Sequence, residues 1–247
     1  MNQPLPETEA VYTERSTCRV CRWKTMEPIL SLGDQYLCAF PEKPDTSLPK
    51  APLDLVRCSR CGLIQLGHTV DRDMMYREYW YRSSVNKTMQ EALRDIVLDG
   101  LTFSDSGVWL DIGANDGCML SYVPDTFKKV ACEPAKSFLA DLEEHADVVV
   151  PHYFSAGALG KDGYSKFDVI TSAAMFYDLD DPNSFVKDIA EVLAPDGVWI
   201  NQLNDSPTML DQNAFDSVCH EHLCYYDVPS LEWMYLKAGL KIVKISR

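Results

Sequence analysis

The sequence has no run near the ~20 continuous apolar residues of a membrane span. Its first stretch, MNQPLPETEAVYTERST, is polar and acidic and lacks the apolar core of a secretory signal. Positive charge is scarce: Lys+Arg is 23 against Asp+Glu 37, for a net charge of -14. So acidic a surface repels phosphate backbones and anionic lipid, which argues against nucleic-acid and membrane partners. A local pocket for one small phosphorylated ligand stays open. Internal repeats and low-complexity tracts are also missing.

What is present fits a globular chain. Apolar residues make up 46% and charged residues 24%, which excludes wholesale disorder. The 247 residues suit one domain or two small ones. Nine cysteines, an odd count without an export signal, point to a reduced, cytosolic setting with metal ligands or buried thiols.

Four of the cysteines form two knuckles, Cys18-Arg-Val-Cys21 and Cys58-Ser-Arg-Cys61. Each aims two thiolates at one point, and together they complete the tetrahedron that structural zinc prefers. Four thiolates leave no open position, so the metal would be structural. Buried free thiols or a redox pair are the plainer alternatives. Cys38 and His68 are possible substitute ligands, and the doubled motif favours the four cysteines over them. Between the knuckles lie Pro28, Pro41, Pro44, Pro49 and Pro52, which predict short strands and turns rather than a helix.

After Tyr79-Trp80-Tyr81-Arg82-Ser83 the texture changes. Met89, Leu93, Ile96 and Val97 fall at helical spacing, with Gly100 as a stop. Strands then alternate with helices: Val108–Leu110, Val130–Cys132, Val148–Val150, Phe167–Ile170, Val198–Ile200 and Leu240–Val243 are the strands expected. Such alternation implies an α/β fold, a parallel sheet covered on both faces. The first strand runs into Asp111-Ile112-Gly113-Ala114-Asn115-Asp116-Gly117. Glycines there let the backbone approach a ligand closely. The flanking acids disfavour a pyrophosphate and suit a cationic amino-acid ligand. Glu133, ending the next strand, can accept two ribose hydroxyls. Asp111, Gly113, Asn115, Gly117 and Glu133 together fit S-adenosylmethionine better than a dinucleotide. A plain strand-turn-helix corner is the alternative.

In order along the chain, these motifs resemble the zinc-containing, S-adenosylmethionine-dependent C-methyltransferases of nucleotide-linked keto-deoxysugars. The resemblance also rests on Tyr79 to Asn86, Met175 to Pro182, Leu193 to Gly197, and Phe215-Asp216-Ser217-Val218-Cys219-His220-Glu221-His222-Leu223. It implies a flexible tail over 1–16, a zinc-binding module over 17–85 and a Rossmann-like class I methyltransferase domain over 86–247. It implies Glu221 and His222 as active-site residues, with His222 as the base, since imidazole titrates near neutral pH. His222 would remove the proton beside a ketone, and the enolate would take the methyl group. Tyr79 or Tyr81 would reach the substrate. Cys219 stands where the sugar enzymes carry a tyrosine. Without the resemblance, His220-Glu221-His222 reads equally as a helical start with no catalytic role. The Asp178-Leu179-Asp180-Asp181 run reads as a helix cap before Pro182.

The pattern implies a seventh strand and a C-terminal domain after Arg247, so the sequence reads as a truncated form of the family, with a fragment or a protein completed by a partner chain as the alternatives. The expected partners are therefore a nucleotide-linked keto-sugar or another small molecule, with a partner chain possible. A non-catalytic cofactor-binding or assembly module, or a methyltransferase on a different small molecule, is the alternative function.

Overall fold

The computed structural model describes residues 11–37, 48–76, 79–161, 163–164 and 166–246. Five strands open the chain: β1 (Tyr12–Glu14), β2 (Met26–Tyr36), β3 (Lys50–Cys58), β4 (Ile64–Leu66) and β5 (His68–Val70). β2, β3 and β4 form an antiparallel sheet, and β1 pairs with β5. Two expectations change here. Residues 1–10 of the expected tail lie outside the described set, but Tyr12–Glu14 is a strand, because β5 offers it a pairing edge. And β2 is not short: it runs 11 residues. It is the sheet's outer strand, where Pro28 need not donate to a ladder, and its register slips between Pro28 and Leu30.

Two helices follow, α1 (Arg72–Tyr76) and α2 (Lys87–Leu101). Asn86 caps α2 by accepting from the amides of Thr88 and Met89. Gly100, expected to stop this helix, lies inside it. The helix ends one residue later, at Leu101, and Gly100 is where it touches the sheet: a Cβ there would sit 2.4 Å from Trp109 Cη2.

The rest of the chain alternates as expected: β6 (Gly107–Ile112), β7 (Phe127–Cys132), α3 (Leu139–His145), β8 (Val148–Val150), α4 (Ala156–Lys161), β9 (Phe167–Ala173), α5 (Pro182–Val192) and β10 (Leu193–Gln202). The five strands lie parallel in the order β10-β9-β6-β7-β8. Alternate side chains feed opposite faces. Leu110, Ile112, Val130 and Ile170 join one apolar cluster with α5 residues Phe185 and Ile189. Trp109, Ala131 and Val169 join the other with α2 residues Leu93 and Val97. This is the parallel sheet covered on both faces that the resemblance implies, with the cysteine-rich module before it.

Beyond β10 come α6 (Ser206–Asp211), β11 (Cys224–Tyr225) and α7 (Val228–Lys237). β11 returns to the first sheet and pairs antiparallel with β4. The segment bearing His220 to His222 is thereby held between the two sheets. Leu240–Val243, expected as a sixth parallel strand, is not one. Among the described residues β10 pairs with β9 alone, so no neighbouring strand reaches that segment.

Candidate functional site

The two knuckles have the same shape. The amides of Cys18 and Cys58 donate to the carbonyls of Trp23 and Leu63, at 2.8 and 2.9 Å. The amides of Arg22 and Gly62 return to the carbonyls of Cys18 and Cys58, each at 3.0 Å. Arg22 and Gly62 both take positive φ, 62° and 81°. Cys18 Sγ lies 3.5 Å from Cys61 Sγ, and Cys21 Sγ 3.5 Å from Cys58 Sγ. All four thiol sulfurs fall within 4.8 Å of one another. A zinc ion with Zn–S bonds of ~2.3 Å needs sulfurs ~3.8 Å apart, so the set fits. Cys61 holds the Cys18 thiol well below its ordinary pKa, while the Cys61 thiol is raised. Cys38 lies outside the described residues. His68 is buried elsewhere, its ring 5.7 Å from that of His220.

The glycine loop leaves the carboxyl end of β6. Gly113, Asn115 and Gly117 take φ of 71°, 51° and 78°. A Cβ on Gly113 would come within 3.3 Å of Met175 Cγ, and one on Gly117 within 2.9 Å of His145 Cδ2. Gly117 therefore serves packing against α3 and does not line the cleft. Asp111 is buried, accepts from Thr171 Oγ1 at 2.8 Å, and is pushed up to about 7 by burial, which the Thr171 bond only partly offsets. Glu133 accepts from the amides of Asn115 at 2.9 Å and Ala135 at 2.8 Å. Burial raises its pKa against those two bonds. Each carboxylate oxygen keeps a second lone pair, so the expected ribose contacts still fit. The Asn115 side chain is committed: its Oδ1 accepts from the Ser83 amide and its Nδ2 donates to the Tyr81 carbonyl, both at 2.9 Å. It fastens the aromatic segment across the loop.

A cleft of about 960 Å³ joins this loop to the expected acceptor residues. Asp111, Gly113, Asn115 and Glu133 line one part; Tyr79, Tyr81, Cys219, Glu221 and His222 line the other. Residues some 140 positions apart are brought together because β11 ties the later segment to β4. His222 Nδ1 lies 2.8 Å from the Ser217 carbonyl. A carbonyl can only accept, so Nδ1 carries the proton and Nε2 keeps its lone pair. Burial lowers the pKa of His222, and its ring meets that of Tyr177 edge-on at 4.3 Å. The Tyr79 hydroxyl and the Cys219 thiol are held protonated at neutral pH, chiefly by burial and then by acidic neighbours. His220 turns its Nε2 to the Ala51 carbonyl at 3.1 Å and anchors the segment to β3.

The sequence reading missed Tyr76, Tyr177 and Asp178, which also line the cleft. Asp178 Oδ1 is buried and has no hydrogen-bond partner, and burial, then Glu221, pushes the carboxyl well above the carboxylate range. Within the acidic run only Asp181 caps α5, accepting from the Ser184 amide at 3.2 Å. The signal was the run itself, whose acids separate into different tasks only in three dimensions.

Residues 85–245 match a family described as "Methyltransferase domain", and residues 18–76 match one described as "Putative zinc binding domain". The C-methyltransferase NovU of Streptomyces niveus is 24% identical over 238 residues, which cover 92% of this chain and 56% of that protein. The chain thus spans little more than half the length of this relative. Among solved structures, the cyclopropane synthase MmaA2 of Mycobacterium tuberculosis aligns with 16% identity and a TM-score of 0.49, over 68% of this chain and 70% of that one. A SAM-dependent methyltransferase of Thermotoga maritima aligns with 18% identity and a TM-score of 0.46, over 60% and 70%.

Proposed function

Because the chain belongs to the methyltransferase-domain family, we propose that it serves S-adenosylmethionine-dependent methyl transfer to a carbon beside the ketone of a nucleotide-linked sugar. One observation carries the reading: His222, with its Nε2 lone pair available, lines the same cleft as Asp111 and Glu133. S-adenosylmethionine supplies an electrophilic methyl group when bound, with Glu133 on its ribose and the Gly113 turn beside it. His222 Nε2 takes the proton from the carbon, and the electron pair moves to the ketone oxygen. The Tyr79 hydroxyl donates a hydrogen bond to that oxygen. Glu221 binds a sugar hydroxyl or orients His222. Cys219, in place of a tyrosine, gives a weaker donor.

The base is tested without methyl transfer. Incubated in deuterated water with a nucleotide-linked 4-keto sugar, the protein should exchange the proton beside the ketone. His222→Ala should slow exchange and methylation together by 10²-fold or more. Methylation of an oxygen or nitrogen, or an unchanged rate in His222→Ala, would overturn the reading.

A second reading has its own support. Among the described residues, eight carboxyl residues line the cleft, Asp111, Glu133, Asp178, Asp180, Asp181, Asp188, Asp216 and Glu221, against one arginine or lysine, Arg72. That lining suits a diphosphate poorly. It favours a keto acceptor without phosphate, and the same exchange assay with phosphate-free ketones separates the two.

A further inference from the structure

Arg19 stands inside the first knuckle, between Cys18 and Cys21, yet it is wholly buried. A buried guanidinium must place its donors. Its Nη1 donates to the Leu66 carbonyl at 2.7 Å. Its Nη2 donates to the His68 carbonyl at 2.8 Å and to Thr69 Oγ1 at 2.7 Å. Its Nε reaches Asp180 Oδ1 at 3.3 Å. Three of these partners belong to the same sheet region; Asp180 comes from the other part of the chain.

Asp180 collects further bonds. Thr69 Oγ1 donates to its Oδ1 at 2.6 Å and Arg15 Nη1 to its Oδ2 at 2.8 Å. Nearby, Asn183 Nδ2 donates to the carbonyls of Arg19 at 2.7 Å and Val20 at 3.1 Å, and Arg22 pairs with Asp181. Burial raises the Asp180 carboxyl, but Thr69, Arg19 and Arg15 outweigh it, so it sits below its ordinary pKa. The knuckle is thus bonded to residues 180–183 through backbone and side chains alike. The stretch that leads into these residues is a cleft wall: Asp178, Leu179, Asp180 and Asp181 line it, and Met175 at its start faces Gly113.

We propose that Arg19 and Asp180 are positioning residues, through which metal in the cysteine knuckles holds the Met175–Asp181 wall of the cleft in its ligand-binding form. The proposal rests on reading the cleft as an S-adenosylmethionine site. An exposed ion pair would do little, but here one partner is fully buried, and removing the other leaves its charge uncompensated. Coupling of this kind is reciprocal: if metal tightens the ligand, the ligand tightens the metal by the same factor.

The test uses the whole chain loaded with zinc. Zinc affinity is measured by competition with a chromogenic chelator, with and without saturating S-adenosylhomocysteine, whose own binding is followed by calorimetry. S-adenosylhomocysteine should raise zinc affinity roughly fivefold or more. Asp180→Asn should bring that ratio close to one while zinc still binds, Thr69→Val should bring it part of the way, and Asp180→Glu should restore some of it. If Asp180→Asn does not fold, Thr69→Val decides. A ratio of one in the parent protein with the ligand bound overturns this proposal alone, as does an undiminished ratio in both variants. Failure of the ligand to bind the parent protein overturns the cofactor reading as well.

Discussion

The parallel sheet and the cysteine-rich sheet of β2, β3, β4 and β11 are held together by different means. In the parallel sheet Leu110, Val130, Phe167 and Ile170 are completely buried, and apolar surface on both faces supplies the stability. In the first sheet β2 is exposed along nearly its whole length, with Ile29, Leu30 and Leu32 in solvent. The sheet's inner side does bury Leu53, Leu55, Leu63 and Leu66 in the cluster that holds Leu110 and Ile112, and four cysteines, a buried arginine and a borrowed strand, β11, add to that cohesion. A small module with one strand in solvent gains further stability from metal and charge. The cleft lies where the two regions meet, with Thr69 and Val70 from one and Asp111 and Glu133 from the other on its walls.

Removing the metal should separate the two most sharply. A structural zinc contributes ~10–16 kcal/mol to small zinc peptides, as much as the whole stability of an ordinary domain. With zinc stripped by a chelator, or in Cys58→Ser, hydrogen exchange should show β3 and β4 losing protection. Cys224–Tyr225 should follow, since among the described residues β11 pairs only with β4. Amides of β6 and β9 should stay protected. A uniform loss across both sheets would show that they are one cooperative unit and that the contrast is false.

Much of this architecture was legible in the sequence, for reasons that differ by element. Each parallel strand is a short apolar run, because burial on both faces removes the polar alternation. The knuckles were legible because thiolate geometry fixes their spacing. Leu240–Val243 misled because apolar residues make a strand only beside a partner. Asp178 and Asp180 could not be told apart, since two acids in one run differ only in what stands across from them. His220 and His222 posed the same problem: one binds a backbone carbonyl of β3, the other lines the cleft.

Acid should next pull the two regions in opposite directions. His68, in the first region, is held near pKa 4 by burial, then by His220 and Arg19, against an ordinary 6.5. It folds neutral, so its contribution is complete above pH 6.5 and is lost as pH falls to about 4. Asp111, in the parallel sheet, is raised by burial from 3.8 to about 7, so its contribution is present at low pH and is lost as pH rises through about 7. At ~1.4 kcal/mol per pH unit, each contribution moves by up to roughly 3 kcal/mol over the two-unit window from pH 4.5 to 6.5. Denaturant melts at pH 4.5 and 6.5 can be compared between the parent and two variants. His68→Leu should lose less stability on acidification than the parent, and Asp111→Asn should lose more. Zinc loss in acid is common to all three and cancels in the differences. Parallel pH curves would remove the opposition.

The smallest effect probes how tightly the apolar side is packed. Gly100 looked like a helix stop and is instead a contact within α2. By helix propensity alone, Gly100→Ala should stabilise the protein by ~1 kcal/mol. Packing argues the reverse. The new methyl group would lie 2.4 Å from Trp109 Cη2 and 3.1 Å from two further ring atoms. Trp109 cannot simply turn aside, because it is fully buried, meets Phe127 edge-on at 5.2 Å and donates from Nε1 to Thr171 Oγ1 at 3.1 Å. Overpacking of this kind costs ~1–3 kcal/mol, so the net should be a loss of about 1 kcal/mol, read as a lower urea midpoint with an unchanged slope. The loss should be confined to the parallel sheet, and zinc affinity should stay at the parent value. A gain in stability would mean that α2 can shift on the sheet, and that the apolar region is the looser of the two.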